Sequence, residues 1–153
     1  VGAGTVLTID QAQQATRAGA QFIVAPGFNP KVVDYCLGND ILMIPGINNP
    51  SQIESALERE LAVVKFFPAE ASGGLPLLKA MAEPYSGIQF LPTGGINPDN
   101  LTAYLSFARV IACGGSWMVK AELIDAGRFD EIVRLAREAV RVIEGLGAAP
   151  RRL

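Results

Sequence analysis

Lys65 lies in the run LAVVKFFPAE, between Val63 and Val64 on one side and Phe66 and Phe67 on the other. An ammonium deprived of water loses the solvation that stabilises its charge, so its pKa falls from about 10.4 and a neutral amine results. Only the neutral form attacks a ketone. The iminium it forms then draws electrons from the neighbouring carbon–carbon bond, which is bond-breaking chemistry without a metal. A lysine at a strand end can also lay its methylenes along apolar surface and keep its charge in water, so position alone leaves two readings.

Two glycine pairs follow on later units, Thr93-Gly94-Gly95 and Gly114-Gly115-Ser116. Glycines let backbone N–H groups approach an anion closely, and turns after consecutive strands are a recurring phosphate site. One such pair reads as a tight turn. Two on consecutive units, the second ending in Ser116, favour phosphate binding at Gly94, Gly95, Gly114, Gly115 and Ser116. Gly73-Gly74 is a third pair, so the motif is not diagnostic alone. Thr5 and Pro26 close their own apolar runs and read, by themselves, as turn residues. Glu70 follows Lys65 closely enough for proton transfer, although a carboxylate leading a helix is commonly a dipole or solvent contact.

The chain contains no histidine, which removes the usual zinc ligand and the usual neutral-pH base. Lysine, carboxylates, hydroxyls and backbone dipoles must carry any catalysis, and no metal or cofactor is expected. Cys36 and Cys113 sit singly within apolar runs, a pattern of buried free thiols rather than a disulfide or CxxC site.

These groups need a scaffold, and the chain repeats one: an apolar run, a turn, then Asn-Pro opening a periodic stretch. FIVAPGFNP, ILMIPGINNP and FLPTGGINP follow this pattern. Asn29, Asn49 and Asn97 are candidate N-caps, with Pro30, Pro50 and Pro98 at the first helical position, where a missing N–H costs nothing. The apolar runs are short and continuous, as for strands covered on both faces of a parallel sheet. Six ends recur near Thr5, Pro26, Pro45, Lys65, Thr93 and Cys113, at about one βα unit apiece. Helices are expected over 10–19, 30–38, 50–59, 74–82, 98–106 and 128–144. In the last, Phe129, Ile132, Val133, Leu135, Ala136, Ala139, Val140 and Ile143 form an apolar stripe to be buried. Glu54, Glu58 and Glu138 read as solvated helix faces.

The 153 residues suit one domain, 1–153, with its own core. A net charge of −2, with no basic run outside Arg151 and Arg152, gives a polyanion no footprint, so neither nucleic acid nor an anionic membrane is an expected partner. No apolar stretch approaches the roughly 20 residues that cross a bilayer. Val1-Gly2-Ala3-Gly4-Thr5 reads as the last residues of a strand, so a fragment is expected: six units of an α/β, TIM (β/α)8 barrel.

GAGTVL, VAPGFNP, IPGI, VVKFFPAE, FLPTGGI and GGSW, in this order, resemble the 2-keto-3-deoxy-6-phosphogluconate (KDPG) aldolase family, whose members often also cleave 4-hydroxy-2-oxoglutarate (KHG). The resemblance covers nearly the whole chain. It implies that Lys65 is the Schiff-base lysine of a class I aldolase. It implies further that Thr5, Pro26, Phe67 and Thr93 line a pocket for a 2-keto acid such as pyruvate, and that the glycine turns and Ser116 hold the substrate phosphate. A cytoplasmic homotrimer of eight-unit barrels without a cofactor is also implied. Aligned this way, the family's first two βα units, with a proton-shuttling glutamate and substrate-binding arginines, have no counterpart here; the fragment alone is expected to lose on the order of 10²–10⁴-fold in rate. From the residues alone two other readings stand: a sugar-phosphate isomerase or epimerase on the same scaffold, and a non-catalytic phosphate-binding fragment.

Overall fold

The computed structural model describes residues 1–146, so the Arg151, Arg152 tail lies outside the described residues. The first three helices begin where side chains can serve the free N–H groups of a first turn. Thr8 caps α1 (Ile9–Arg17) by accepting from the Gln11 N–H. Asn29 caps α2 (Pro30–Leu37) and Asn49 caps α3 (Pro50–Leu57), each with proline at the start.

The strands are β1 (Phe22–Val24), β2 (Leu42–Ile44), β3 (Gly46–Ile47), β4 (Val63–Phe66) and β5 (Gln89–Pro92). All pair in parallel, β1 with β2, β3 with β4, and β4 with β5. The strands β2 and β3 are one chain path interrupted at Pro45, which has no N–H to give to a ladder. The Ala25 N–H donates to the Ile44 carbonyl at 3.2 Å and the Lys65 N–H to the Pro45 carbonyl at 2.8 Å, carrying the sheet across the break. Neighbours in the sheet are neighbours in sequence, and the order never reverses. That is barrel-type winding; a doubly wound sheet changes direction at a switch point.

Six strands were expected, and the outer two are reduced to isolated bridges, Ala3 with Ile23 at one edge and Phe90 with Val110 and Thr93 with Gly114 at the other. Each has one described neighbour, and the described strands do not close into a barrel. Two short helices were not anticipated, α4 (Ala69–Ser72) directly after β4 and, following α5 (Gly74–Ala82) and α6 (Pro98–Leu105), α7 (Ala121–Asp125).

Ile23, Met43, Ile47, Val64, Phe66 and Phe90 from the strands join Val33, Cys36, Ile53, Leu78 and Tyr104 from the helices in one buried cluster. The expectation fails for α8 (Phe129–Gly145), in which no residue is buried. Phe129, Val133 and Val140 are exposed, and the contact with the core runs through Ala139 and Val142. The reason is geometric: α8 leans on α6 at the open edge of the sheet and flanks a groove of about 430 Å³ lined by Val110, Ile111, Trp117 and Ile143. Cys36 is buried as expected, whereas Cys113, on that edge, is only partly so; both are free thiols.

Candidate active site

Parallel strands bring all their carboxyl ends to one rim. Lys65 is the third residue of β4, in register with Gly46 on one side and Leu91 on the other. Its backbone is held from both sides, so the side chain can only be aimed by rotamer. The residue is half-buried, and its Nζ lies 4.4 Å from the centre of the Phe67 ring. Among the described residues the amine makes no ion pair. Desolvation holds its pKa below the ordinary lysine value of 10.5. The ring face acts in the opposite sense, since a π-cloud favours the ammonium.

Thr93 follows β5 and bridges to Gly114. Its Oγ1 is buried and has no hydrogen-bond partner among the described residues. A buried hydroxyl left unpaired costs about 1–3 kcal/mol, so this oxygen is a hydrogen-bonding group on the rim that the protein's own described groups leave free. Space beside it depends on glycine: a Cβ at Gly114 would stand 2.4 Å from the Thr93 methyl.

The Thr93-Gly94-Gly95 turn is anchored through its carbonyls. Ala69 N–H donates to Thr93 at 2.8 Å and Glu70 N–H to Gly94 at 3.0 Å, both from α4. Asn97 and Asn100 Nδ2 donate to Gly95 at 3.3 and 3.1 Å. The backbone φ values of Gly94 and Gly95, +93° and +84°, belong to the left-handed region that favours glycine. A Cβ on Gly95 would also lie 2.6 Å from the Cβ of Glu70.

Phe67 therefore stands beside Lys65, and its ring touches the space over Gly94. Gly115 and Ser116 follow Gly114 on the same rim, with Gly115 packed under the Trp117 ring. Pro26 closes β1, and its carbonyl backs directly onto Gly46. Thr5 is exposed, and two strands stand between its segment and Lys65. The Glu70 carboxylate does not serve the amine: it accepts a hydrogen bond from the buried Tyr104 hydroxyl. A cavity of about 560 Å³ opens at the opposite, amino-terminal end of the strands, among Leu42, Leu61, Val63 and Gln89, with none of the rim residues in it.

Sequence reasoning missed Asn100 and Tyr104. Asn100 carried a signal, since it stands three residues after the N-cap Asn97, where a capping box places a side chain. Tyr104 carried none beyond its place on the inner face of α6. Among the described residues no group of three or more His, Cys, Asp or Glu is placed to hold a metal ion, and no helix is long and apolar enough to cross a membrane.

Known proteins share the sequence and fold that carry this rim. The family model described as KDPG and KHG aldolase matches residues 1–135. The 2-dehydro-3-deoxy-phosphogluconate aldolase of Treponema pallidum is 53% identical over 143 residues, 94% of this chain and 68% of its own length. Among solved structures, the KDPG aldolase of Legionella pneumophila, with pyruvate captured as a covalent carbinolamine, superposes with a TM-score of 0.85 at 38% identity. That match covers 88% of this chain and 65% of the other. The Zymomonas mobilis ZM4 enzyme with 3-phosphoglycerate gives 0.83 at 38% identity, covering 90% and 65%. The chain thus spans about two thirds of the length of these relatives. An identity above half over 143 residues is far beyond shared architecture, and the chain belongs to the KDPG and KHG aldolase family.

Proposed function

We propose that this polypeptide carries the Schiff-base centre and phosphate loops of a class I aldolase acting on a phosphorylated 2-keto-3-deoxy sugar acid, on 4-hydroxy-2-oxoglutarate, or on both. The observation that carries the proposal is Lys65, a half-buried amine without an ionic partner among the described residues, at the carboxyl end of an inner strand. Its neutral form adds to the C2 carbonyl to give a carbinolamine, which loses water to an iminium. The iminium accepts the electron pair of the C3–C4 bond as that bond breaks. The C4 hydroxyl gives up its proton and leaves as an aldehyde. The enamine is protonated at C3, and water returns to C2 to release pyruvate and the free amine. The iminium is the electron sink throughout, so the reaction needs no metal.

The Phe67 ring walls the amine from water, and the unpartnered Thr93 hydroxyl is available to the keto acid's polar end. At the far end of the substrate, the Gly94-Gly95 and Gly114-Gly115-Ser116 turns offer backbone N–H groups to a phosphate. The similar structures bearing a pyruvate carbinolamine and a bound 3-phosphoglycerate support this reading. Thr5 and Pro26 complete the rim as lining residues. Glu70, the candidate proton carrier on this rim, is held through Oε1 by the Tyr104 hydroxyl.

Borohydride reduction in the presence of pyruvate tests the proposal. Peptide mapping is expected to find one reduced pyruvate on Lys65 and none in Lys65→Ala. A folded chain that remains unmodified, or is labelled equally on Lys31, Lys79 and Lys120, rejects the assignment.

A further inference from the structure

The peptide unit is planar and trans, so a carbonyl pinned in one direction sends the N–H of the following residue in the other. This turns the anchoring of the Thr93-Gly94-Gly95 carbonyls into a statement about three donors. With Thr93 and Gly94 carbonyls tied to α4, the Gly94 and Gly95 N–H groups are turned away from α4. With the Gly95 carbonyl tied to Asn97 and Asn100, the Ile96 N–H is turned away from α6. Among the described residues none of these three N–H groups donates a hydrogen bond to another.

We infer that Asn100 is a positioning residue for phosphate recognition: its side-chain amide, with that of Asn97, holds the Gly95 carbonyl and so aims the Ile96 N–H outward, where it completes a preformed anion nest with the Gly94 and Gly95 N–H groups that α4 orients. The inference rests on the proposed phosphate-binding role of this turn. Asn100 is suited to the task because it does two things at once. Its Oδ1 accepts from the Asn97 N–H at 2.9 Å, which closes the capping box of α6, and its Nδ2 donates to the Gly95 carbonyl at 3.1 Å. The first bond serves the helix. The second serves the loop, and a helix cap does not require it. Its consequence, together with the α4 contacts to Thr93 and Gly94, is that three donors are oriented before the anion arrives, so little ordering is left to accompany binding.

The two bonds can be separated by substitution. Asn100→Asp keeps an acceptor for the Asn97 N–H and loses the donor to Gly95. Asn100→Ala loses both and adds no charge. Titration of the 15N-labelled chain with inorganic phosphate, followed at the Gly94, Gly95 and Ile96 amides, is expected to give saturable shifts in the unsubstituted chain. Both variants are expected to raise the apparent Kd by tenfold or more while circular dichroism keeps the folded spectrum. Weakening in Asn100→Ala alone assigns the residue to capping and overturns the inference. Weakening in Asn100→Asp alone reduces it to repulsion by a new carboxylate and overturns it equally. Unaltered binding in both does the same while leaving the phosphate loop intact. If phosphate moves none of the three amides in the unsubstituted chain, the phosphate reading itself fails, and the inference with it.

Discussion

Gly46→Ala is the sharpest test of how this rim is built. Gly46 pairs with Lys65 across β3 and β4, and on its other side it faces the Pro26-Gly27 backbone. A Cβ there would stand 2.0 Å from the Pro26 carbonyl oxygen, 2.2 Å from its carbon and 2.7 Å from the Gly27 nitrogen. These are main-chain atoms held in a sheet, so no rotamer relieves the contact, and the oxygen is about 1.4 Å short of the 3.4 Å of ordinary contact. Opening that gap strains the hydrogen bonds from Gly46 N–H to the Gly27 carbonyl and from Ala25 N–H to the Ile44 carbonyl, which already measure 3.3 and 3.2 Å. Overpacking costs about 1–3 kcal/mol, and each lost hydrogen bond about 0.5–1.5 kcal/mol, so destabilisation of roughly 2–6 kcal/mol is expected. Urea denaturation monitored by circular dichroism measures it as a lower midpoint at unchanged slope. Gly27→Ala is the control, since a Cβ at Gly27 meets nothing within 4 Å, and it is expected to be within about 0.5 kcal/mol of the parent. Equal midpoints for the two variants would refute the close approach of these strands and the placing of Lys65 that follows from it.

Thr93→Val removes a buried hydroxyl without a partner, so the variant is expected to gain roughly 1 kcal/mol in the free protein, about 2–4 °C in Tm, and to trap pyruvate more slowly; a loss of stability in calorimetry contradicts the unpaired state. The rate of pyruvate trapping is expected to rise with pH to a midpoint below 10.5, because burial lowers the Lys65 pKa; a midpoint at the ordinary value removes the reason for its reactivity. The sign for stability follows: the buried ammonium is penalised at every pH below its lowered pKa, and the penalty fades as pH rises towards 10.5. Lys65→Met is therefore expected to be more stable than the parent at neutral pH, with the difference vanishing at high pH in denaturation curves. Burial pushes the Cys113 thiol up to about 12, so iodoacetamide at pH 8 is expected to label it far more slowly in the folded chain than in urea; equal rates would place that thiol in water.

The helix starts and the strand ends were legible from local chemistry. Asn-Pro supplies an acceptor for the first turn and a residue that needs no donor, and Asn29, Asn49 and Asn97 each cap as their spacing implies. Short continuous apolar runs required a sheet covered on both faces, and the strands follow them, with Pro45 interrupting one for want of an N–H. The unusual setting of Lys65 was also local, since its four nearest neighbours are apolar. The depth of α8 was not. An apolar stripe states only that burial would be favourable, and whether it occurs depends on what the rest of the sheet places opposite; here the open edge leaves Phe129 and Val140 in water. The fate of Glu70 was equally hidden, because its partner Tyr104 comes from a helix 34 residues away. Which carbonyls Asn97 and Asn100 would hold could be decided only by the loop's path. The sequence by itself determined the types of group on the rim and the period at which they recur, since caps, turns and apolar runs act between near neighbours. Their distances, their burial and the direction of each N–H came from tertiary structure, because pairing across strands joins residues that no local rule connects.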